Sequence, residues 1–174
     1  QEQAGLIRAL VEKQGSGVVF MPGYYGHHLS MEKSELKDLI PVIYDDKFPG
    51  GRAFNAESKL VLTAHGRDHL LTLLSDTPAG NTNLWKQLPG FYWNAAVLKA
   101  KIGANVLAVH SSLRTRNNGL RMPLLVTRPF GNGSTLFLGT DSAWRWRRGV
   151  EDKYHYRFWG QVVRWMSNKR QDRK

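Results

Sequence analysis

Residues 1–21 set the strongest constraint on how this chain can fold. Leu6, Ile7, Leu10 and Val11 fall at the spacing of one helix face over residues 1–14. Gly15-Ser16-Gly17 then stops the helix, and Val18-Val19-Phe20-Met21 follows as a short unbroken apolar run. A strand that is apolar at successive positions suits a parallel sheet covered on both faces, where alternation with polar residues is not needed. Helix, glycine stop and buried strand in succession predict an α/β protein. Pro22 and Gly23 open an irregular loop, residues 22–30, at the carboxyl end of that strand, the edge of an open α/β sheet where ligands bind.

The rest of the chain predicts a mixed sheet. Residues 122–128 and 134–139 read as strands joined by the hairpin signal Phe130-Gly131-Asn132-Gly133. Further strands are expected at 59–63, 92–99 and 105–110, with a turn at Ile102-Gly103 and a polar loop over 114–120. Ser34 is placed to cap a short helix stopped by Pro41, and Asp45-Asp46 begins a loop that runs to Arg52. Short helices are expected at 67–74 and 82–88, the second bounded by Gly80 and Pro89. The last helix, 152–167, carries Tyr154, Phe158, Val162 and Trp165 on one face, with Trp159, Val163 and Met166 beside them. The expected architecture is parallel at its amino-terminal end, with antiparallel hairpins added later and helices covering the sheet.

A chain of 174 residues without cysteine forms no disulfide, offers no thiol nucleophile and builds no cysteine-ligated zinc site. No apolar run reaches the roughly 20 residues of a membrane helix. The chain begins within a helical pattern and without methionine, so it is read as a piece of a longer protein. Charge is concentrated at the carboxyl end, where residues 144–174 hold ten Lys and Arg against three acids. Binding to an anionic surface through this segment is one reading. No nucleic-acid motif accompanies the charge, so no specific nucleic-acid partner is expected, and the other reading is a solvated helix face with a disordered basic tail over 168–174.

The familiar catalytic patterns are missing. There is no Gly-x-Ser-x-Gly elbow around Ser30, Ser111, Ser112 or Ser142, and neither glycine cluster opens a helix as a phosphate loop does. His65 and His69 stand four apart with no third ligand in view; His110 and His155 carry no further signal. What remains are two loop clusters. Tyr24, Tyr25, His27 and His28 follow the first strand. Asp141, Trp144, Arg145, Trp146 and Arg147 follow the last, where Asp141 can cap the next turn or pair with Arg145 or Arg147. Tryptophan and arginine are the residues that most often anchor interfaces, so these nine positions are the candidate ligand contacts. No catalytic residue, metal or cofactor is assigned.

Residues 123–166, ending in the Trp-Arg run and the motif Phe158-Trp159-Gly160-Gln161-Val162-Val163-Arg164-Trp165, resemble the end of the glutamine amidotransferase-like domain of bacterial membrane proteins, in the class I glutamine amidotransferase-like superfamily. Residues 15–23, 34–42, 62–74 and 84–93 resemble its earlier motifs in the expected order, so the likeness covers nearly the whole chain. The resemblance implies a flavodoxin-like α/β sandwich over 1–167, with its first strands upstream. It also implies membership in a membrane-anchored, often von Willebrand A-containing, protein whose domain faces the periplasm. True amidotransferases use a cysteine on a strand-to-helix elbow; the corresponding residues 21–29 hold none, so that mechanism is not available to these residues. The resemblance therefore implies a non-catalytic interaction or scaffold module. Its partners would be a protein or neighbouring domains of the same chain, and it would meet a membrane only through segments outside this one. A hydrolase or small-ligand site in the strand-end cleft is the alternative.

Overall fold

A computed structural model describes residues 2–148 and 152–171. It is an α/β protein built on a five-stranded mixed sheet. The chain order is α1 (Glu2–Gln14), β1 (Gly17–Phe20), β2 (Val42–Tyr44), β3 (Arg52–Ser58), β4 (Leu60–Leu62), α2 (Ala64–Asp68), α3 (Pro78–Gln87), β5 (Phe91–Asn94), β6 (Val97–Ala100), β7 (Asn105–Arg114), β8 (Arg121–Phe130), β9 (Gly133–Leu138) and α4 (Lys153–Gln171). The main sheet runs β1-β9-β8-β7-β4; β2 with β6 and β3 with β5 form two small antiparallel pairs.

β9 is the spine, with all six of its residues buried. On one side it pairs antiparallel with β8, from Leu125 opposite Leu138 to Phe130 opposite Gly133. The loop is therefore the two residues expected, and Gly131 supplies the positive φ of 55° that its first position requires. On the other side β1 runs parallel to β9, Gly17 opposite Ser134 through Phe20 opposite Phe137. β1 is parallel as its sequence predicts, but it is the edge of the sheet and only Phe20 is buried in it. For the same reason α1 buries Val11 alone, while Leu6, Ile7 and Leu10 of the expected inward face are exposed.

Local signals succeed where a side chain satisfies the backbone beside it. Ser34 caps the 3-10 turn Glu35–Leu39 by accepting from the Leu36 amide at 3.2 Å. The helix expected at 67–74 divides into α2, capped by Thr63, and the 3-10 turn Leu70–Thr72, because His69 between them is extended and caps the second with its Nδ1. α3 starts ahead of the expected 82, since Thr77 caps it and Pro78 fits its first turn. The run 92–99 is broken at Ala95-Ala96, where the Ala95 amide donates to Gly139 O and the Ala96 carbonyl accepts from Asp45 N. α4 seals one face with Phe158 and Val162, and Trp159, Trp165 and Met166 pack half-buried against the core. Val163, expected beside them, is exposed. The helix continues to Gln171, past the expected tail boundary; residues 172–174 lie outside the described residues. No helix among the described residues is long and apolar enough to cross a membrane.

Two features of this core carry sharp expectations. Gly66 lies so close to β7 that a Cβ there would collide with the Leu107 carbonyl. Gly66→Ala should cost roughly 2 kcal/mol or more, read as a lowered urea midpoint. His110 is fully buried within β7, its ring between Phe54 and Phe91 at 5.2 and 5.4 Å, and its Nδ1 accepts from the Ser112 and Leu113 amides. Burial pushes its pKa from 6.5 down to about 4. The unfolded chain then binds the extra proton first, so His110 leaves stability untouched above about pH 6.5 and lowers it as pH falls from there toward 4. Between pH 7 and 4.5 the loss from this one residue should be about 2–3 kcal/mol. His110→Asn, which keeps an acceptor, should remove that part of the slope in urea titrations.

Candidate functional site

Because β1 and β9 are parallel neighbours, their carboxyl ends emerge together, and the two loop clusters rise from the same end of the sheet. They do not form one site.

In the first loop Tyr24 and Tyr25 are exposed and meet edge to face at 5.8 Å, and Tyr25 lies 6.2 Å from the exposed His27 ring. Tyr24 continues onto Trp93 of β5 at 6.4 Å. The left-handed Gly26 then turns the chain into the 3-10 turn His27–Lys33, which sends His28 the other way. His28 is buried 4.7 Å from the Tyr44 ring and lines a cavity of about 270 Å³ beside β1 with Ile7, Phe20, Met31 and Leu36. Burial first, and His27 second, lower its pKa, while burial raises the Tyr44 hydroxyl above the usual tyrosine range. That cavity includes none of Asp141, Trp144 or Arg145.

After β9, Thr140 rather than Asp141 organises the backbone. The buried Thr140 hydroxyl donates to Trp93 O at 3.0 Å and accepts from the Ser142 amide at 3.3 Å, starting the 3-10 turn Ser142–Arg147. Asp141 is exposed, and its side chain caps nothing and accepts only from Ser142 Oγ among the described residues. The expected pairing of Asp141 with Arg145 or Arg147 does not form. Arg147 instead grips Asp152 through two bonds of 2.6 and 3.1 Å, which hold that carboxyl below the ordinary range.

A 3-10 turn advances about 120° per residue, so Trp144 and Trp146 leave it on different faces. Trp146 is buried, its ring edge to face with Trp85 at 5.5 Å and with Phe158 at 5.1 Å; its surface is used in the core. Trp144 is 57% exposed. Between them the Arg145 guanidinium sits 4.9 Å from the centre of the Tyr92 ring and 5.7 Å from that of Trp144. The Nε of Arg145 is buried and has no hydrogen-bond partner among the described residues.

Tyr92 and Trp93 are therefore the residues on which the two loops converge, one from each side. Neighbours in a strand point to opposite faces, so β5 stands between the tyrosine cluster and the Trp-Arg cluster. The run Phe91-Tyr92-Trp93 gives no sequence signal of this role; it is equally the run of a core strand. A second missed feature is the pair that holds this end of the fold closed. Asp45, expected in a loop, is buried and bound by Arg116 through bonds of 2.7 and 2.9 Å, which keep its carboxyl below the ordinary range. His65 is exposed, His69 packs on Trp165, and the described residues contain no cluster of three or more potential metal-binding side chains.

No protein-family model matches the chain, and no curated protein matches it. Solved structures do. Cytoplasmic protein STM1381 from Salmonella typhimurium LT2 aligns over 95% of this chain with a TM-score of 0.61 and 20% identity. Cytoplasmic protein STM3548 from Salmonella typhimurium aligns over 93%, with a TM-score of 0.60 and 18% identity. At such identities the likeness is one of fold. The alignments span 61% and 59% of those proteins' lengths.

The two tryptophans should separate cleanly by stability. Trp146→Ala should lose about 3–5 kcal/mol, as large aromatic deletions from a packed core do. Trp144→Ala should lose under about 1 kcal/mol. Chemical denaturation of the two variants checks both values.

Proposed function

We propose that this chain is a non-catalytic interaction module with a glutamine amidotransferase-like, flavodoxin-like fold, part of a membrane-anchored bacterial protein, and that it works through the carboxyl end of its sheet. The observation that carries this reading is the exposure at this end of Tyr24 and Tyr25 on one side of β5, and of Tyr92 and Trp144 beside Arg145 on the other, where Arg145 makes no ion pair among the described residues. Large aromatics with arginine are the composition of interface anchors. Catalysis has little support at the same place. His28 faces the cavity beside β1, Asp141 contacts no histidine among the described residues, and the chain has no cysteine to stand at the elbow. The membrane anchor and the periplasmic placement rest on the sequence resemblance.

The same reading accounts for β1. It is an edge strand flanked by the exposed apolar side chains Leu6, Ile7, Leu10, Met21 and Met31, and an open apolar edge of this kind invites further pairing. Upstream strands of the same domain would continue the sheet there.

Photo-crosslinking residues placed at Tyr25 and at Trp144 in the intact protein test the proposal, with the exposed Ile102 at the other end of the sheet as control. Positions 25 and 144 should crosslink to one and the same partner or neighbouring domain, and position 102 should not. Equal crosslinking from all three positions would overturn the reading. So would hydrolysis of glutamine or an ester that is abolished by His28→Gln or Asp141→Asn.

A further inference from the structure

We infer that Arg145 is a receptor for a single carboxylate: an Asp or Glu side chain of a protein partner docks in the plane of its guanidinium, flanked by Trp144 and Tyr92. This rests on the reading of the carboxyl end as an interaction surface and names what that surface recognises.

Four other arginines are matched to carboxylates: Arg8 to Asp38, Arg116 to Asp45, Arg147 to Asp152 and Arg157 to Asp76, each within 2.9 Å. Among the described residues the Arg145 side chain has no such partner, although it is half-buried and its Nε is shielded from water. A guanidinium taken partly out of water without a counter-charge is costly unless an anion completes it. Glu57 does not serve. One of its oxygens accepts from the Gly90 amide at 2.7 Å and the other pairs with Lys59 at 3.3 Å. These contacts hold its carboxyl below the ordinary range, the Gly90 amide most and Arg145 least.

The two rings define the ligand further. With aromatic rings beside it, the guanidinium recognises through its in-plane N–H groups, and a fork of parallel N–H donors matches the two oxygens of a carboxylate. The rings, 41% and 57% exposed, add apolar area on either side of that contact. This is the composition of an interface hot spot, a charged pair sheltered by aromatics. A nucleic acid or another polyanion fits less well. It needs a track of unpaired cations, and here Asp141 is exposed nearby while Arg147 and Lys59 are already committed to Asp152 and Glu57, which leaves the exposed Arg148 as a single further cation in the turn. Despite the chain's formal charge of +11, this neighbourhood is of mixed sign.

The test uses the ¹⁵N-labelled chain and follows the Arg145 Nε–H resonance, assigned by its loss in Arg145→Lys, together with tryptophan fluorescence. The probe is an end-capped peptide of alternating glutamate and leucine. Its glutamine counterpart, inorganic phosphate and a short oligothymidylate are the other arms. The glutamate peptide should shift the Nε–H signal and quench fluorescence, and the glutamine peptide should do neither. Arg145→Lys and Arg145→Gln, with unchanged melting temperatures, should each weaken the glutamate peptide about tenfold or more. The proposal fails if the glutamate peptide leaves the resonance unmoved, if Arg145→Lys binds it as the parent does, or if oligothymidylate or phosphate binds more tightly. Crosslinking from positions 25 and 144 in the Arg145→Lys protein separates the two readings. Crosslinks to one partner that persist there, with peptide binding absent, remove the carboxylate anchor and leave the interaction module. Crosslinking equal to that of position 102 in the parent removes the module itself.

Discussion

The contact on which the rest of the structure depends is the crossing of the α1–β1 junction over the β8–β9 hairpin. The Asn132 amide donates to Glu12 O at 2.8 Å, and Asn132 Nδ2 donates to Lys13 O at 3.1 Å. Gly133 lies so close to the carbonyls of Val11 and Ser16 that no side chain fits. Those contacts bring β1 beside β9 in parallel register from their first residues. Parallel neighbours end at the same edge, so the loops that follow them, over a hundred residues apart in sequence, open at one end of the sheet. The surface at this end of the sheet depends on that alignment.

The edge so formed is closed by polar contacts that commit several of its charges. Asp45 with Arg116 joins the loop after β2 to the loop after β7, and Thr140 joins the end of β9 to Trp93 of β5. A buried carboxylate bound by two guanidinium hydrogen bonds is a directional lock, because removing either partner strands the other. Once these bonds are made, the basic carboxyl end is not a uniform cationic patch. Arg147 and Arg157 are each paired with an aspartate, and Arg145 keeps its charge available only in the frame of two rings. The alternation of Trp and Arg thus gives four consecutive residues four environments: exposed ring, half-buried unpaired cation, buried ring, exposed paired cation. A 3-10 turn makes this possible, because each residue steps a third of a turn from the last.

Much of the local architecture could be read from the chain. The helix over 2–14, the parallel character of residues 17–20, the Ser34 cap and the two-residue hairpin each depend on neighbours in sequence: an apolar period, a glycine stop, a hydroxyl two residues from an amide, a glycine at positive φ. The errors fall where the decisive partner is distant. His69 breaks a helix while packing on Trp165, and Ala95 leaves its strand for Gly139. Leu6, Ile7 and Leu10 have the pattern of a buried face but lie over a sheet edge with nothing of the described chain beyond it. The candidate site divides in the same way. The sequence picked out the two loops, yet the residues that receive them, Tyr92 and Trp93, lie in a run indistinguishable from ordinary core.

By itself, then, the sequence determined the α/β class, the hairpin, the absence of thiol chemistry and the loops richest in aromatic and basic residues, because composition and short-range periodicity are properties of the chain. Only the tertiary structure decided that Trp146 is core and Trp144 surface, that His28 turns away from Asp141, and that Arg145, unlike Arg147, lies beside two rings with no carboxylate bound to it among the described residues. Burial and pairing are set by what arrives from elsewhere in the chain, and at this end of the sheet that is β5.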